Sequence, residues 1–248
     1  HYTAPHSPWV GCHPQEYVNL YKDCRFDSCP QREPHPWANV GVLPGYTDPI
    51  PNLQGYFAAV TAMDANIGRL LDRLEEEGLA EDTLVIFTSD NGFNCGHHGV
   101  WGKGNGTFPM NMYDSSVQVP FLVRHPGRIP AGRVCERMVS AYDFLPTLLE
   151  YLELPNPLAQ GLPGRSFAPW LRGEEAPEDQ PVVVFDEYGP VRMIRTATRK
   201  YVRRLPYGPD EFYCLDTDPN EDNNRIDDPA CADEIAALRC QLDRWFVR

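Results

Sequence analysis

Between Val85 and Gly104 the chain reads VIFTSDNGFNCGHHGVWGKG. A short apolar run ends at Asp90 and Asn91, a carboxylate beside an amide carbonyl. Two such hard oxygens suit Ca²⁺ or Mg²⁺. Their position just past a strand is where open α/β sheets bind ligands. Asp-Asn-Gly is also a favoured turn sequence, so an Asx turn is the competing reading. Adjacent imidazoles follow at His97 and His98, and then Lys103 between Gly102 and Gly104. A lysine on such unencumbered backbone is a point charge of the kind anion sites use. Singly, His98 reads as a structural histidine and Lys103 as a solvated one. Together the residues describe a divalent cation beside an anion-binding lysine.

The flanking pattern predicts the elements that carry this segment. Tyr56, Val60, Met63, Ile67, Leu70, Leu71 and Leu74 recur at three- and four-residue steps. They predict a helix over 56–77, with Gly78 as the residue just past its C-cap. Thr83 to Thr88 is a continuous apolar run, as in a strand covered on both faces. A second strand is expected at Val119 to Arg124. A helix is expected over Asp143 to Leu152, with Pro146 in its first turn. Helix, short loop and buried strand make an α/β pattern. Residues 1–55 hold nine prolines and read as loop, and residues 154–181 read as a connection. Short strands at 182–185, 192–196, 200–204 and 211–215, then a helix at 232–246, predict a small antiparallel α+β subdomain. The boundary is placed at 170, giving regions 1–170 and 171–248.

Bulk properties narrow the function. The formal net charge is −13. No basic stripe exists to replace phosphate counterions, which argues against nucleic acid as a partner. No apolar run reaches the length of a membrane span, and no signal peptide opens the chain. Compartment stays open on this reading. The eight cysteines form no paired zinc pattern. Disulfides among Cys12, Cys24 and Cys29, or free thiols, both fit. The first residues are His1-Tyr2-Thr3, without Met, as expected of a piece of a longer protein.

Several stretches, taken in order, resemble the sulfatase family of the alkaline-phosphatase-like superfamily. TAPHSPW (3–9) is similar to the family's A-P-H-x-P segment, and FTSDNG (87–92) to its metal-binding strand end. HHGVWGKGNGTFPMNMYDSSVQVPFLVRHPG (97–127) is similar to its H-G…K…V-P stretch. RKYVRR (199–204) and DEFYCLDTDPNEDNN (210–224) are similar to its K-Y…L-Y-D-L-x-x-D-P-x-E-x-x-N ending. The resemblance implies that Asp90 and Asn91 are metal ligands, with Ca²⁺, or Mg²⁺, as cofactor. It implies that His6 and Lys103 contact a sulfate. Either could protonate the leaving oxygen, and His98 is a further catalytic candidate.

The resemblance also implies a formylglycine nucleophile from C-x-P-x-R or S-x-P-x-R, lying before A-P-H-x-P and hence upstream of this chain. Ser28-Cys29-Pro30-Gln31-Arg32 fits by letter. It lacks the strand before and helix after, and it follows His6 rather than preceding it. The expected whole is a sulfuric ester hydrolase acting on a sulfate-ester small molecule or a sulfated sugar. This chain would be its C-terminal portion, partnered by the missing N-terminal portion of the same protein. Half of a sheet would leave Val85, Ile86 and Phe87 on an uncovered apolar face. Two rivals stand beside this reading: a phosphodiesterase or phosphonate monoester hydrolase of the same superfamily, and a catalytically inactive binding homologue or subunit.

Overall fold

The computed structural model describes residues 1–156, 163–174 and 180–247. Parts of the connection expected over 154–181, residues 157–162 and 175–179, therefore lie outside the described residues. The chain forms two compact units, residues 1–122 and 123–248.

In the first unit, α1 (Gln15–Asn19) interrupts a long irregular stretch, and α2 runs Pro49–Glu76, 28 residues. Helix α2 starts seven residues earlier than the apolar periodicity predicts. Pro49 and Pro51 fall in its first turn, where no intrahelical N–H is needed, so they open the helix instead of preventing it. It stops as predicted: Gly78 adopts φ +68°. Gly78 N donates to Glu75 O at 3.0 Å and Leu79 N to Leu74 O at 2.9 Å, a Schellman end. Strand β1 (Val85–Thr88) pairs with β4 (Phe121–Arg124). Between them lie β2 (Asn94–Cys95), β3 (Trp101–Gly102) and α3 (Asp114–Val117). Val85, Ile86 and Phe87 are only half-buried, short of the two-sided cover that the sequence leads one to expect.

The irregular N-terminal residues are not surface dressing. Trp9, Phe26 and Cys29 enter one core with Leu53, Cys95 and Trp101. Helix α2 lets this happen through Gly55, where a Cβ would lie 2.5 Å from Trp9 O.

The second unit opens with α4 (Ala141–Tyr151) and α5 (Ala168–Leu171). Ser140 caps α4, its N–H bonded to Asp143 Oδ2 at 2.7 Å. This cap starts α4 two residues before the expected Asp143, so Pro146 lies in the second turn rather than the first. Its missing N–H leaves Tyr142 O without the usual helical donor. Gly164 packs there, where a Cβ would sit 1.8 Å from that oxygen. Strands β5 (Val182–Phe185), β6 (Val191–Arg195), β7 (Arg199–Arg204) and β8 (Glu211–Cys214) form an antiparallel sheet in that order. Helix α6 (Ala232–Trp245) follows.

Val183, Ile194, Tyr201 and Phe212 are register partners across the four strands. They make a core with Leu238 and Leu242 of α6. Strand alternation gives β7 two jobs. Arg199 and Arg203 pair with Glu234 and Asp243 of α6. On the opposite face Lys200 pairs with Glu221 and Arg204 with Glu211, all nearly without solvent contact.

Breaking a buried ion pair from one side is costly because the remaining charge stays desolvated. Glu221→Ala is expected to destabilise the protein by about 3–5 kcal/mol. The midpoint of chemical denaturation measures it. A loss under about 1 kcal/mol, the scale of a surface pair, would remove this pair from the account of stability.

Candidate active site

Residues Ser89–Gly92 form the turn beyond β1. Asp90 Oδ1 accepts from Asn91 N at 2.9 Å and from Ser89 Oγ at 3.3 Å. Neither bond uses Oδ2, and neither makes the Asx turn, whose donor would be Gly92 N; that N–H goes instead to Ser116 O at 2.9 Å. Asn91 is oriented from both ends of its amide. Its Nδ2 donates to Gly92 O at 2.8 Å, and its Oδ1 accepts from Lys103 Nζ at 3.2 Å. A carbonyl oxygen has two lone pairs, so Asn91 Oδ1 can hold the lysine and still face a cation. Twelve residues apart in sequence, Asn91 and Lys103 meet side chain to side chain.

Aromatic packing brings them together. Trp9, buried, stacks edge-on against Phe93 at 5.4 Å and Tyr56 at 5.9 Å, and lies 6.1 Å from Trp101. Phe93 follows Asn91 by two residues, Trp101 precedes Lys103 by two, and Trp9 follows His6 by three. The Trp9 indole N–H donates to Pro5 O at 2.7 Å. This fixes the peptide immediately before His6. One side chain therefore anchors all three segments. Burial also pushes the Tyr56 phenol up to about 12, so it stays neutral in this cluster.

The backbone of Lys103 is held from below by buried amides. Asn111 Nδ2 donates to Lys103 O at 3.1 Å and Gly104 O at 3.2 Å. Asn94 Nδ2 donates to Gly102 O at 2.9 Å and to Ser116 Oγ at 2.7 Å, and Ser116 Oγ donates to Asn111 Oδ1 at 2.6 Å. Ser116 O in turn accepts from Gly92 N at 2.9 Å, which ties the network to the Asp90–Asn91 turn. Gly102 sits at φ +141°, and a Cβ there would meet Gly106 Cα at 2.8 Å. Only glycine suits this position.

The two histidines divide. His97 Nε2 lies 2.8 Å from Ser28 O and its Nδ1 accepts from Cys95 N at 3.4 Å, a structural role. His98 adopts φ +55° and stacks flat on Tyr113, centroids 3.7 Å apart at 2°. The exposed His6 ring bonds its neighbour, Nδ1 to Ser7 O at 2.8 Å. Among the described residues no three His, Cys, Asp or Glu side chains converge as a metal cluster. Ser28 to Arg32 has neither strand before nor helix after. All eight cysteines are thiols; Cys12 and Cys24 are exposed and Cys29 is buried, so no disulfide joins these three. No described helix is long and apolar enough to cross a membrane. Sequence reasoning passed over Trp9, Asn94, Asn111 and Ser116. The available signal was the tryptophan closing TAPHSPW beside the aromatics in DNGF and VWGKG.

The chain belongs to the sulfatase family: the model described as Sulfatase matches residues 1–154. A second, N-sulphoglucosamine sulphohydrolase, C-terminal, matches residues 96–247. The chain is 28% identical to a choline-sulfatase of Rhizobium meliloti over 98% of its length and 48% of that protein's. It is 34% identical to an endo-4-O-sulfatase of Bacteroides thetaiotaomicron over 70% of its length and 32% of that protein's. Among solved structures, a phosphonate monoester hydrolase from Silicibacter pomeroyi superposes with a TM-score of 0.74 at 26% identity. That match covers 97% of this chain and 53% of the other. The chain thus spans about half or less of the length of these relatives. The fold is α/β, part of an alkaline-phosphatase-like sandwich, with a small C-terminal antiparallel α+β subdomain.

The buried amide network makes a testable demand. Asn94→Ala removes two donated bonds and the acceptor for Ser115 Oγ. Each buried group left unsatisfied costs about 1–3 kcal/mol. A loss of at least about 2 kcal/mol is expected from denaturation midpoints. An unchanged midpoint would show that the network does not hold this loop.

Proposed function

We propose that this chain supplies part of the active site of a sulfuric ester hydrolase. Asp90 and Asn91 hold a divalent cation, Lys103 and His6 contact the sulfate, and the substrate is a sulfate ester of a carbohydrate. One observation carries the reading: Lys103 Nζ lies 3.2 Å from Asn91 Oδ1. A lysine held on the amide oxygen of a would-be metal ligand ties the cation's place to the anion's. Sulfatase relatives, including an N-acetylglucosamine-6-O-sulfatase of Bacteroides thetaiotaomicron at 31% identity, support the reaction and the sugar.

The donor pair fits a hard cation. Asp90 offers a carboxylate and Asn91 an amide oxygen, with no sulfur or imidazole at the turn, which suits Ca²⁺ and then Mg²⁺. When bound, the cation would neutralise charge on sulfate oxygens. Two ligands fall short of the six to eight oxygens Ca²⁺ takes, so the rest come from outside these residues. Lys103 would add a positive charge beside the sulfate, near the ester oxygen on which negative charge grows on cleavage. His6, exposed beside the anchored Pro5 peptide, would hold the proton delivered to the leaving oxygen. His98 acts as a positioning residue through its stack on Tyr113. The nucleophile is assigned to a formylglycine segment outside this chain, in the N-terminal portion of the protein, which is its partner. Residues 1–170 would be the second half of the catalytic domain and 171–248 its subdomain.

The test uses the intact protein with aryl sulfates and phosphonate monoesters side by side. Lys103→Ala should cut sulfate turnover about 10²-fold or more, with little change in melting temperature. Near-normal turnover in that variant would return Lys103 to the surface. The superposition on a phosphonate monoester hydrolase favours one rival, which faster phosphonate cleavage would establish. No turnover of either ester would favour the inactive homologue.

The 248 residues alone are expected to bind Ca²⁺ weakly and hydrolyse no aryl sulfate. Calorimetric titration and an aryl sulfate assay check this. Robust turnover lost in Ser28→Ala would move the nucleophile into Ser28-Cys29-Pro30-Gln31-Arg32.

A further inference from the structure

We propose that Cys29 and Cys95 are a disulfide site, a redox staple between the N-terminal irregular segment and the hairpin that separates Asn91 from Lys103. The inference does not depend on the proposed function.

The two cysteines are distant in sequence and adjacent in the core. Both are buried, at 8% and 3% exposure, and belong to the cluster around Trp9. Each thiol perturbs the other electrostatically. Two side chains stitch their backbones together. Gln31 Nε2 donates to Cys29 O and to Cys95 O, each at 2.8 Å. The two carbonyl oxygens can be no further apart than twice that distance. His97 repeats the stitch one residue away, its Nε2 on Ser28 O and its Nδ1 on Cys95 N. A disulfide needs Cα atoms about 4.4–6.8 Å apart and side chains pointing at one another. The shared buried cluster and the doubly bridged backbone put the two residues side by side, as such a bond requires. Of the cysteines considered with it from the sequence, Cys12 and Cys24 are exposed.

The thiols are also chemically unequal. Interaction with Cys95 draws Cys29 down to about 7, while interaction with Cys29 and burial hold Cys95 above the ordinary thiol range. Cys29 is thus the attacking thiolate. It attacks one sulfur of an external disulfide, such as oxidised glutathione, and expels a thiolate that takes up a proton. Cys95 then loses its proton and attacks the Cys29 sulfur of the mixed disulfide, expelling the second thiolate. Two cysteine thiols and one disulfide become one cysteine disulfide and two small thiols.

The test is a peptide map of the intact protein. It is equilibrated in oxidised glutathione, denatured in an alkylating agent and digested without reduction. The expected product joins the Cys29 and Cys95 peptides and disappears after dithiothreitol. Recovery of both cysteines as alkylated thiols, or of either linked elsewhere, overturns the proposal. Oxidation should also raise the melting temperature of the unmodified sequence by about 5 °C or more. An equal rise in Cys29→Ala would overturn it as well. If that variant does not fold, the peptide map on the unmodified protein decides alone.

Discussion

The candidate site depends on the packing of one indole. Trp9 has almost no solvent contact and touches Tyr56 of α2, Phe93 and Trp101. Burying a tryptophan against three aromatic rings contributes through area and through edge-to-face geometry. The benefit here is positional as well as energetic. His6, Asn91 and Lys103 sit on three separate irregular segments, and each segment has an aromatic residue within three positions of its polar one. The indole N–H spends its single donor on Pro5 O, so the loop bearing His6 is tied by a directional bond as well as by packing.

Below that aromatic layer, the site is held by amides rather than by strands. β2 and β3 have two residues each, too few to rigidify a loop on their own. Asn94 and Asn111, linked through Ser116 Oγ, support the short ladder with side-chain bonds to the carbonyls of Gly102, Lys103 and Gly104. Such a network is stabilising only while its members remain satisfied. A Cβ on Gly102 would meet Gly106 Cα at 2.8 Å and one on Gly106 would meet Val100 Cγ1 at 2.9 Å, so neither position accepts a side chain unchanged. The lysine's freedom is thereby confined to its side chain, which suits a charge that must reach one point.

The second unit shows the same economy with ions. Strand β7 directs Arg199 and Arg203 toward carboxylates of α6, and Lys200 and Arg204 toward Glu221 and Glu211. The first set is partly solvated and contributes little each. The second is desolvated, so its value lies in penalising any arrangement that separates the partners.

Much of this was determined by the sequence itself. The short strands in 182–215 and the helical period near 3.6 in α2 follow from local patterning, and Gly78 reads as the end of a helix. The pairing of Asp90–Asn91 with a lysine was legible because all three share one segment, and the ordered motifs named the family. Other features were decided only by tertiary structure. The start of α2 depended on prolines that read equally well as breakers. Pro146 inside α4 was tolerable because Gly164 packs on the carbonyl it leaves behind. The contact of Cys29 with Cys95, the amides beneath Lys103 and the anchoring of His6 by Trp9 join residues far apart in the chain. Periodicity and turn chemistry report on neighbours in sequence. Which distant aromatic fills which gap is set by packing, and that exists only once the chain has closed on itself.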